Sequence, residues 1–185
     1  MAGVARIEGY AIVSADGMLA DAGGVMPEAL KQPADQRFFE AGLDAADVMV
    51  HGRHSHEQQA NSSRRLRLVV TRSVDAVEAD PSNALGRLWN PAGASLESAL
   101  DALGAADAVV AVIGGTDVFG LFLDRYDAFH LTRGPKVRLP GGRPVFPSVP
   151  NLTPEAVLAE HGLVEREHEV LDAATGLVVT HWVRR

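Results

Sequence analysis

Two glycines, Gly114 and Gly115, separate an apolar run, Ala108 to Ile113, from a segment in which Phe119, Phe122 and Leu123 repeat at helical spacing. A strand, a turn and a helix are predicted there. Paired glycines at such a junction adopt positive φ and let a ligand approach bare peptide groups. The helix that follows offers free N–H groups to a phosphate. The pattern is neither GxGxxG nor a P-loop lysine motif, so a turn that merely redirects the chain explains it equally well. Upstream, Pro33 can open a helix over PADQRFFEAGL, residues 33–43, because its missing N–H has no partner in a first turn. Asp35, Phe38, Phe39 and Gly42 then share one side of that helix. A carboxylate beside an aromatic ring can bond two adjacent N–H groups of a flat heterocycle while the ring packs against it. An acid in a first turn also simply complements the helix dipole. His51, His54 and His56 raise the question of a metal site, which is rejected. No acidic partner set accompanies them, and alternating residues at a strand end point to opposite faces.

These side chains need elements to hold them. IEGYAIVS, residues 7–14, reads as a first strand followed by a Gly-rich loop over residues 15–30. DVMVH, residues 47–51, is a short buried strand, and Ser55 with Gln58 resembles a capping box that starts a helix at Ser55. A polar loop, QQANSSRR, leads to a third strand, LRLVVT, and a Pro/Asn-rich segment spans residues 80–94. In ASLESALDALG, Leu96, Ala99, Leu100 and Leu103 follow the i, i+3, i+4, i+7 pattern and Gly104 can end the helix. YDAFHLT is a further strand, GGRPVFP a turn-rich stretch, and GLVEREHEVLD with LVVTHWVRR two closing antiparallel strands. Strands alternating with helices predict an α/β fold: one domain over residues 1–185, a mostly parallel central sheet of about eight strands with an antiparallel C-terminal edge, and helices on both faces.

Composition narrows the function classes. Lys and Arg number 17 against 24 Asp and Glu, a net charge of −7, which argues against a general nucleic-acid binder. An anionic ligand would need a local basic patch. The absence of cysteine excludes disulfides, thiolate catalysis and Cys-based zinc sites, and makes the cytoplasm the natural compartment. The N-terminus lacks a secretory pattern, and no apolar run approaches the ~20 residues of a membrane span. A soluble protein without nucleic-acid or membrane partners is expected.

The order of SADGMLA, MPEALKQPADQRFF, VHGRHSHE, LVVTRS, VIGGTDVFGLFL, HLT and GGRPVFP, over essentially the whole chain, resembles dihydrofolate reductase and its relatives, including the reductase domain of riboflavin biosynthesis. The resemblance implies NADPH-dependent hydride transfer to a pterin-like C=N bond, with dihydrofolate reduction to tetrahydrofolate, a step of folate and one-carbon metabolism, as the first reading. Two alternatives stand beside it: reduction of another heterocycle or a ribosylamino-pyrimidine phosphate, and a module that binds NADPH without catalysis. The polar 58–67 segment suits a sugar phosphate better than an aryl group.

The same resemblance distributes roles. Asp35 matches the active-site carboxylate and Thr132 the threonine that hydrogen-bonds it, with Tyr10, Glu28, Phe38 and Phe39 around the substrate. Arg65 is the candidate for a folate α-carboxylate, with Arg64 and Arg67 competing. Gly52, Arg53, His54 and Ser55 match the motif that binds the cofactor phosphates, and Arg53 with Arg72 would hold an adenosine 2′-phosphate bidentately, selecting NADPH over NADH. Thr71 and Ser73 flank Arg72 in that role. Gly114 and Gly115 match a cis Gly-Gly turn against the cofactor, bordered by Ile113 before it and Thr116, Asp117, Val118 and Phe119 after it. Phe119 occupies a position that flanks the nicotinamide. Ala11, Gly17 and Met18 complete the cofactor set. Two departures stand out: Glu28 replaces a tryptophan and brings a second carboxylate toward Asp35, which would raise the pKa of one, and Asp117 replaces a residue that is basic in several relatives. The resemblance leaves a homodimer open and implies no metal.

Overall fold

Nine strands pair into one sheet. A computed structural model describes residues 4–55 and 57–185 of the chain. In chain order the elements are β1 (Arg6–Ser14), β2 (Met18–Ala20), α1 (Pro33–Ala45), β3 (Val48–Gly52), β4 (Leu66–Val70), β5 (Val77–Ala79), β6 (Gly86–Trp89) and α2 (Leu96–Asp101). They continue as β7 (Val109–Gly114), α3 (Thr116–Leu121), β8 (Ala128–Gly134), β9 (Arg143–Pro144), α4 (Pro154–Glu160), β10 (Leu163–Asp172) and β11 (Leu177–Arg184). The sheet order is β10-β11-β8-β1-β7-β3-β4-β6-β5. The six strands from β8 to β6 are mutually parallel, while β10, β11 and β5 run antiparallel to their neighbours. Among the described residues the main sheet thus has nine strands rather than about eight, and β2 pairs with β9 in a separate two-stranded ribbon.

Period-two alternation divides β1 between two cores. Ile7 and Val13 face a large cluster that takes in Leu100 of α2, Phe119 of α3 and Leu158 of α4. Tyr10 and Ile12 face the other side, where α1 lays Leu43, Phe38 and Phe39 over Met49 and Ala111. Helices therefore cover both faces, as the pattern predicts. Two of them start on side-chain caps: Ser95 accepts from the Ser98 N–H at 3.1 Å and Thr153 from the Ala156 N–H at 3.2 Å. No described helix is long and apolar enough to cross a membrane.

Four local expectations differ from the structure. No helix starts at Ser55. The Ser55 N–H closes a turn on the Gly52 carbonyl at 3.0 Å, and residues 57–61 are irregular, ahead of a 3-10 turn at Ser62–Arg64. The carboxylate of Glu57 is drawn inward to Arg65 and Arg67, and that charge pairing outweighs the local cap signal. His56 lies outside the described residues. The Pro/Asn-rich stretch contains β6, which with β5 forms an antiparallel pair (Val77 opposite Trp89). Residues 154–160, within the span between two predicted strands, form α4. The 15–30 loop carries β2 and a 3-10 turn at Glu28–Leu30.

Close packing between β1 and the core makes Gly9 a sensitive position. A Cβ there would fall 2.3 Å from a ring carbon of Phe129, which is fully buried. Gly9→Ala is expected to cost about 1–3 kcal/mol by overpacking. A urea midpoint unchanged from that of the parent protein would contradict this.

Candidate active site

All five of β1, β3, β4, β7 and β8 end on the same side of the sheet, because they are parallel. In open α/β sheets ligands bind at the carboxyl ends of the strands, where the strand order reverses. Here the chain leaves β1, skips a place to β3, moves outward through β4 and β6, and returns as β7 between β1 and β3. The register sets His51 opposite Gly114 and Gly52 opposite Val70. The turns that follow these strands, residues 52–55, 71–73 and 114–115, are therefore brought to one edge.

Each turn is built by its own bonds. The peptide between Gly114 and Gly115 is cis, and Gly114 has φ 140°. A Cβ at Gly114 would stand 3.4 Å from Ser55 Oγ, so the two turns touch across the edge. Thr71, nearly buried, pairs its hydroxyl with Ser73 at 2.9 Å and takes the Ser73 N–H at 3.1 Å. Its own N–H donates to Trp89 O at 2.9 Å. Arg53, His54, Arg72 and Ser73 are exposed. Among the described residues neither Arg53 nor Arg72 is held in an ion pair. Arg53 Nε donates to His54 Nε2 at 3.1 Å. Thr116 anchors the start of α3 by donating to Pro144 O at 2.5 Å, and Asp117 points to solvent.

The start of the long loop is clamped rather than loose. Ser14 Oγ donates to Asp16 and accepts the Met18 N–H at 3.0 Å, and Asp16 accepts the Leu139 N–H at 3.0 Å. Gly17 turns with φ 83° and its carbonyl accepts the Val145 N–H. A Cβ at Gly17 would meet Val149 at 2.9 Å, so only glycine makes this turn without displacing the 145–154 segment. Ser14 and Asp16 escaped the sequence reading, although the Ser-x-Asp-Gly run is a turn signal of this kind.

On the α1 side, Asp35 sits in the first turn of α1 with about 9% of its surface exposed, and Thr132 of β8 is fully buried beneath it. Thr132 pairs in register with Ile12 of β1. Burial pushes the Asp35 carboxyl up to about 6, against a hydrogen bond from Thr132 that holds it down. No cation contributes. This is the combination expected of a functional carboxylate: a group that the fold makes costly to ionise and does not use in a salt bridge.

The remaining candidates fall in several places. Phe38 and Phe39 line α1 beside Asp35, half-buried, with their rings 6.2 and 6.3 Å from that of Tyr10. Tyr10 lies deep under α1, and a Cβ at Gly42 would fall 2.5 Å from its ring. Ala11 and Ile113 lie on β1 and β7 beside the Gly-Gly turn, both half-buried. Met18 and Val118 are buried in the large core. Three expectations are corrected. Glu28 does not crowd Asp35: its side chain is 87% exposed and takes Lys31 at 2.5 Å, so burial alone raises Asp35. Phe119 is a core residue, 1% exposed, set edge-on to Phe129 at 5.6 Å. It supports the Gly-Gly turn from beneath instead of offering it a free ring face. Arg65 is buried and already holds Glu57 and Asp44, while Arg67 holds Glu57 and the Ser62 carbonyl. Glu57 was the missed residue, since nothing in a polar loop marks the one carboxylate that turns inward.

No protein-family model matches the sequence, and no curated protein matches it. Solved structures do. A Shewanella sp. PV-4 protein assigned to riboflavin biosynthesis superposes with a TM-score of 0.65 at 20% identity, over 97% of this chain and 99% of that one. A dihydrofolate reductase from Enterococcus faecalis, complexed with NADP(H) and RAB-propyl, gives 0.65 at 17% identity over 97% and 96%. A diaminohydroxyphosphoribosylaminopyrimidine deaminase/5-amino-6-(5-phosphoribosylamino)uracil reductase from Thermotoga maritima gives 0.63 at 14% identity over 98% of this chain, which spans 57% of that longer one. The fold is that of the dihydrofolate reductase-like proteins.

Proposed function

We propose that this chain is an NADPH-dependent reductase that delivers hydride to a C=N bond of a flat, pterin-like heterocycle. The observation that carries the reading is Asp35, a carboxylate buried beside Phe38 and Phe39 with Thr132 as its polar partner. Its ionised form can accept two adjacent N–H groups of a ring, and a desolvated site strengthens those bonds. NADPH, when bound, supplies the hydride. The residues at the strand ends fit such a group. Gly114 and Gly115 bring peptide without side chains to the strand ends, Thr71 and Ser73 carry hydroxyls there, and Arg53 and Arg72 offer guanidinium groups outside any described ion pair, the chemistry that grips a 2′-phosphate.

Dihydrofolate is the first substrate reading. A second is favoured by one observation. The cation that a folate α-carboxylate would need, Arg65, already has two internal carboxylates. That favours a heterocycle without a glutamyl tail, a ribosylamino-pyrimidine phosphate among the choices.

The test follows NADPH oxidation by the purified protein with dihydrofolate, dihydropterin and a ribosylamino-pyrimidine phosphate, each against an NADH control. Steady oxidation that prefers NADPH is expected, and Arg53→Ala with Arg72→Ala should narrow the preference by roughly 10–100-fold, the worth of charge-assisted bonds to phosphate. Tight NADPH binding without turnover on any of the three would leave a nucleotide-binding module in place of an enzyme.

A further inference from the structure

His51 stands next to last in β3 and is 6% exposed. Period-two alternation puts it on the α1 face with Met49, whose register partner on β4 is Arg67. His51 Nδ1 lies 2.8 Å from the Gly52 carbonyl oxygen, and Nε2 lies 3.5 Å from Arg67 Nη1. A carbonyl oxygen can only accept, so Nδ1 is the donor in the first of these. The oxygen it reaches is the one on which the Ser55 N–H closes the 52–55 turn at 3.0 Å. The two lone pairs of that oxygen are thus both used, one by the turn and one by the imidazole.

The place of this bond matters because of what shares its peptide. The Gly52 carbonyl and the Arg53 N–H belong to one planar unit, so holding the oxygen also sets the direction of the N–H. Glycine leaves such a unit freer to rotate than other residues do, and an outside brace removes that freedom. The brace has a fixed backing. Arg67, 7% exposed, donates from Nη2 to the enclosed Glu57 carboxylate and, at 2.7 Å each, to the Ser62 carbonyl and hydroxyl. Its Nη1 faces His51. The loop that begins at Gly52 returns to β4 through Ser62–Arg64. This guanidinium therefore meets both roots of the loop, Ser62 directly and Gly52 through the imidazole.

We propose that His51 is a positioning residue of the cofactor site: its Nδ1–H, backed by Arg67, holds the Gly52 peptide so that the 52–55 turn meets a nucleotide phosphate already formed. The role rests on the NADPH reading given above, in which Arg53 of this turn grips the 2′-phosphate. A turn formed in advance loses less freedom when the ligand arrives, so the brace adds affinity without touching the ligand. Ser55, whose N–H shares the braced oxygen, is also the residue that meets Gly114 across the edge. A loosened turn would therefore disturb the phosphate site on both sides.

The experiment compares His51→Gln with His51→Asn in the intact protein. The shorter asparagine carries its amide where Nδ1 stands and can still donate to the Gly52 oxygen, whereas the glutamine amide reaches toward Nε2 and leaves that oxygen. Hydrogen exchange at the Ser55 amide is read without ligand, and calorimetry gives the dissociation constants of NADP+ and NAD+. His51→Gln is expected to speed Ser55 exchange and to weaken NADP+ binding by roughly tenfold, about the worth of one net hydrogen bond. The loss should be smaller for NAD+, which lacks the 2′-phosphate. His51→Asn should recover most of both the protection and the affinity. Should His51→Gln not fold, His51→Leu, which fills the space without a donor, carries the same expectation. Unchanged Ser55 exchange, parental NADP+ affinity in His51→Gln, or equal losses in the two variants would overturn the role and make His51 a core residue. A parent protein that binds neither nucleotide would remove the cofactor reading and this role with it. The Ser55 exchange, which needs no ligand, separates that failure from a missing brace.

Discussion

Asp35→Asn is expected to make the protein more stable and nearly inactive at once. The native state keeps the Asp35 proton up to about pH 6, whereas an unfolded chain releases it near the ordinary value of 3.8. Between those values the folded form binds more protons, so stability falls as the pH rises through that window. At pH 7 the ionised, buried group costs on the order of 3 kcal/mol. Asparagine can still accept the Thr132 hydroxyl but carries no charge, so the variant should melt higher, by roughly 6–12 °C. Turnover should fall by roughly 10²–10⁴-fold with NADPH affinity intact. In the parent protein, on the proposed reading, KM for the heterocycle should rise as the pH drops through about 6 and the carboxylate is neutralised. Thermal melts, cofactor titration and a pH series of KM check the three parts. An asparagine variant that melts lower and turns over normally would make Asp35 a structural residue and remove it from the proposed chemistry.

The opposite balance is expected at Glu57. Its side chain is fully enclosed and divides one carboxylate between Arg65 and Arg67, whose side chains are 6% and 9% exposed. Glu57→Gln leaves two buried guanidinium groups with too little negative charge between them. Removing one partner of such a set costs about 3–5 kcal/mol, roughly 6–20 °C in Tm at 2–4 °C per kcal/mol. Asp44, half-exposed on the outside of the same network, should matter far less when replaced by alanine, since water takes over its role. Denaturant titrations of the two variants side by side provide the check. Equal losses would mean that the network is wet and that Arg65 is open to a ligand carboxylate, which would restore the folate reading to strength.

Glu57 also shows where legibility in the sequence ends. The strands rich in apolar residues, β3, β4 and β7, and the helix opened by Pro33 were readable because burial and backbone geometry act locally on each of them. The 52–55, 71–73 and 114–115 turns were each legible as the ends of strands, but only the family resemblance grouped them about one cofactor. The strands β5 and β6 were hidden because they are short and lie among turn residues, β6 taking its ladder from the distant β4 and β5 from β6. At the site, Asp35 with its flanking phenylalanines was legible from helical spacing and family likeness. The helix expected at Ser55 failed because a distant pair, Arg65 and Arg67, competes for the residue two places after the cap. The solvent-facing Glu28 and the core position of Phe119 were invisible for the same reason: which way a side chain turns depends on neighbours far away in the chain. The contact of His130 with His181 joins β8 to β11 over a separation of 51 residues, beyond the reach of any local pattern.

The central place of β1 has a consequence for how the chain is made. Its only sheet partners are β7 and β8, which begin at Val109 and Ala128. An apolar strand completed at Ser14 must therefore wait for nearly a hundred further residues before it can pair. At ribosomal speeds that is roughly 5–20 s, during which β3, β4 and β6 can assemble beside an unfilled slot while β1 stays exposed. The sheet closes about β1 only when the C-terminal half of the chain arrives to flank it.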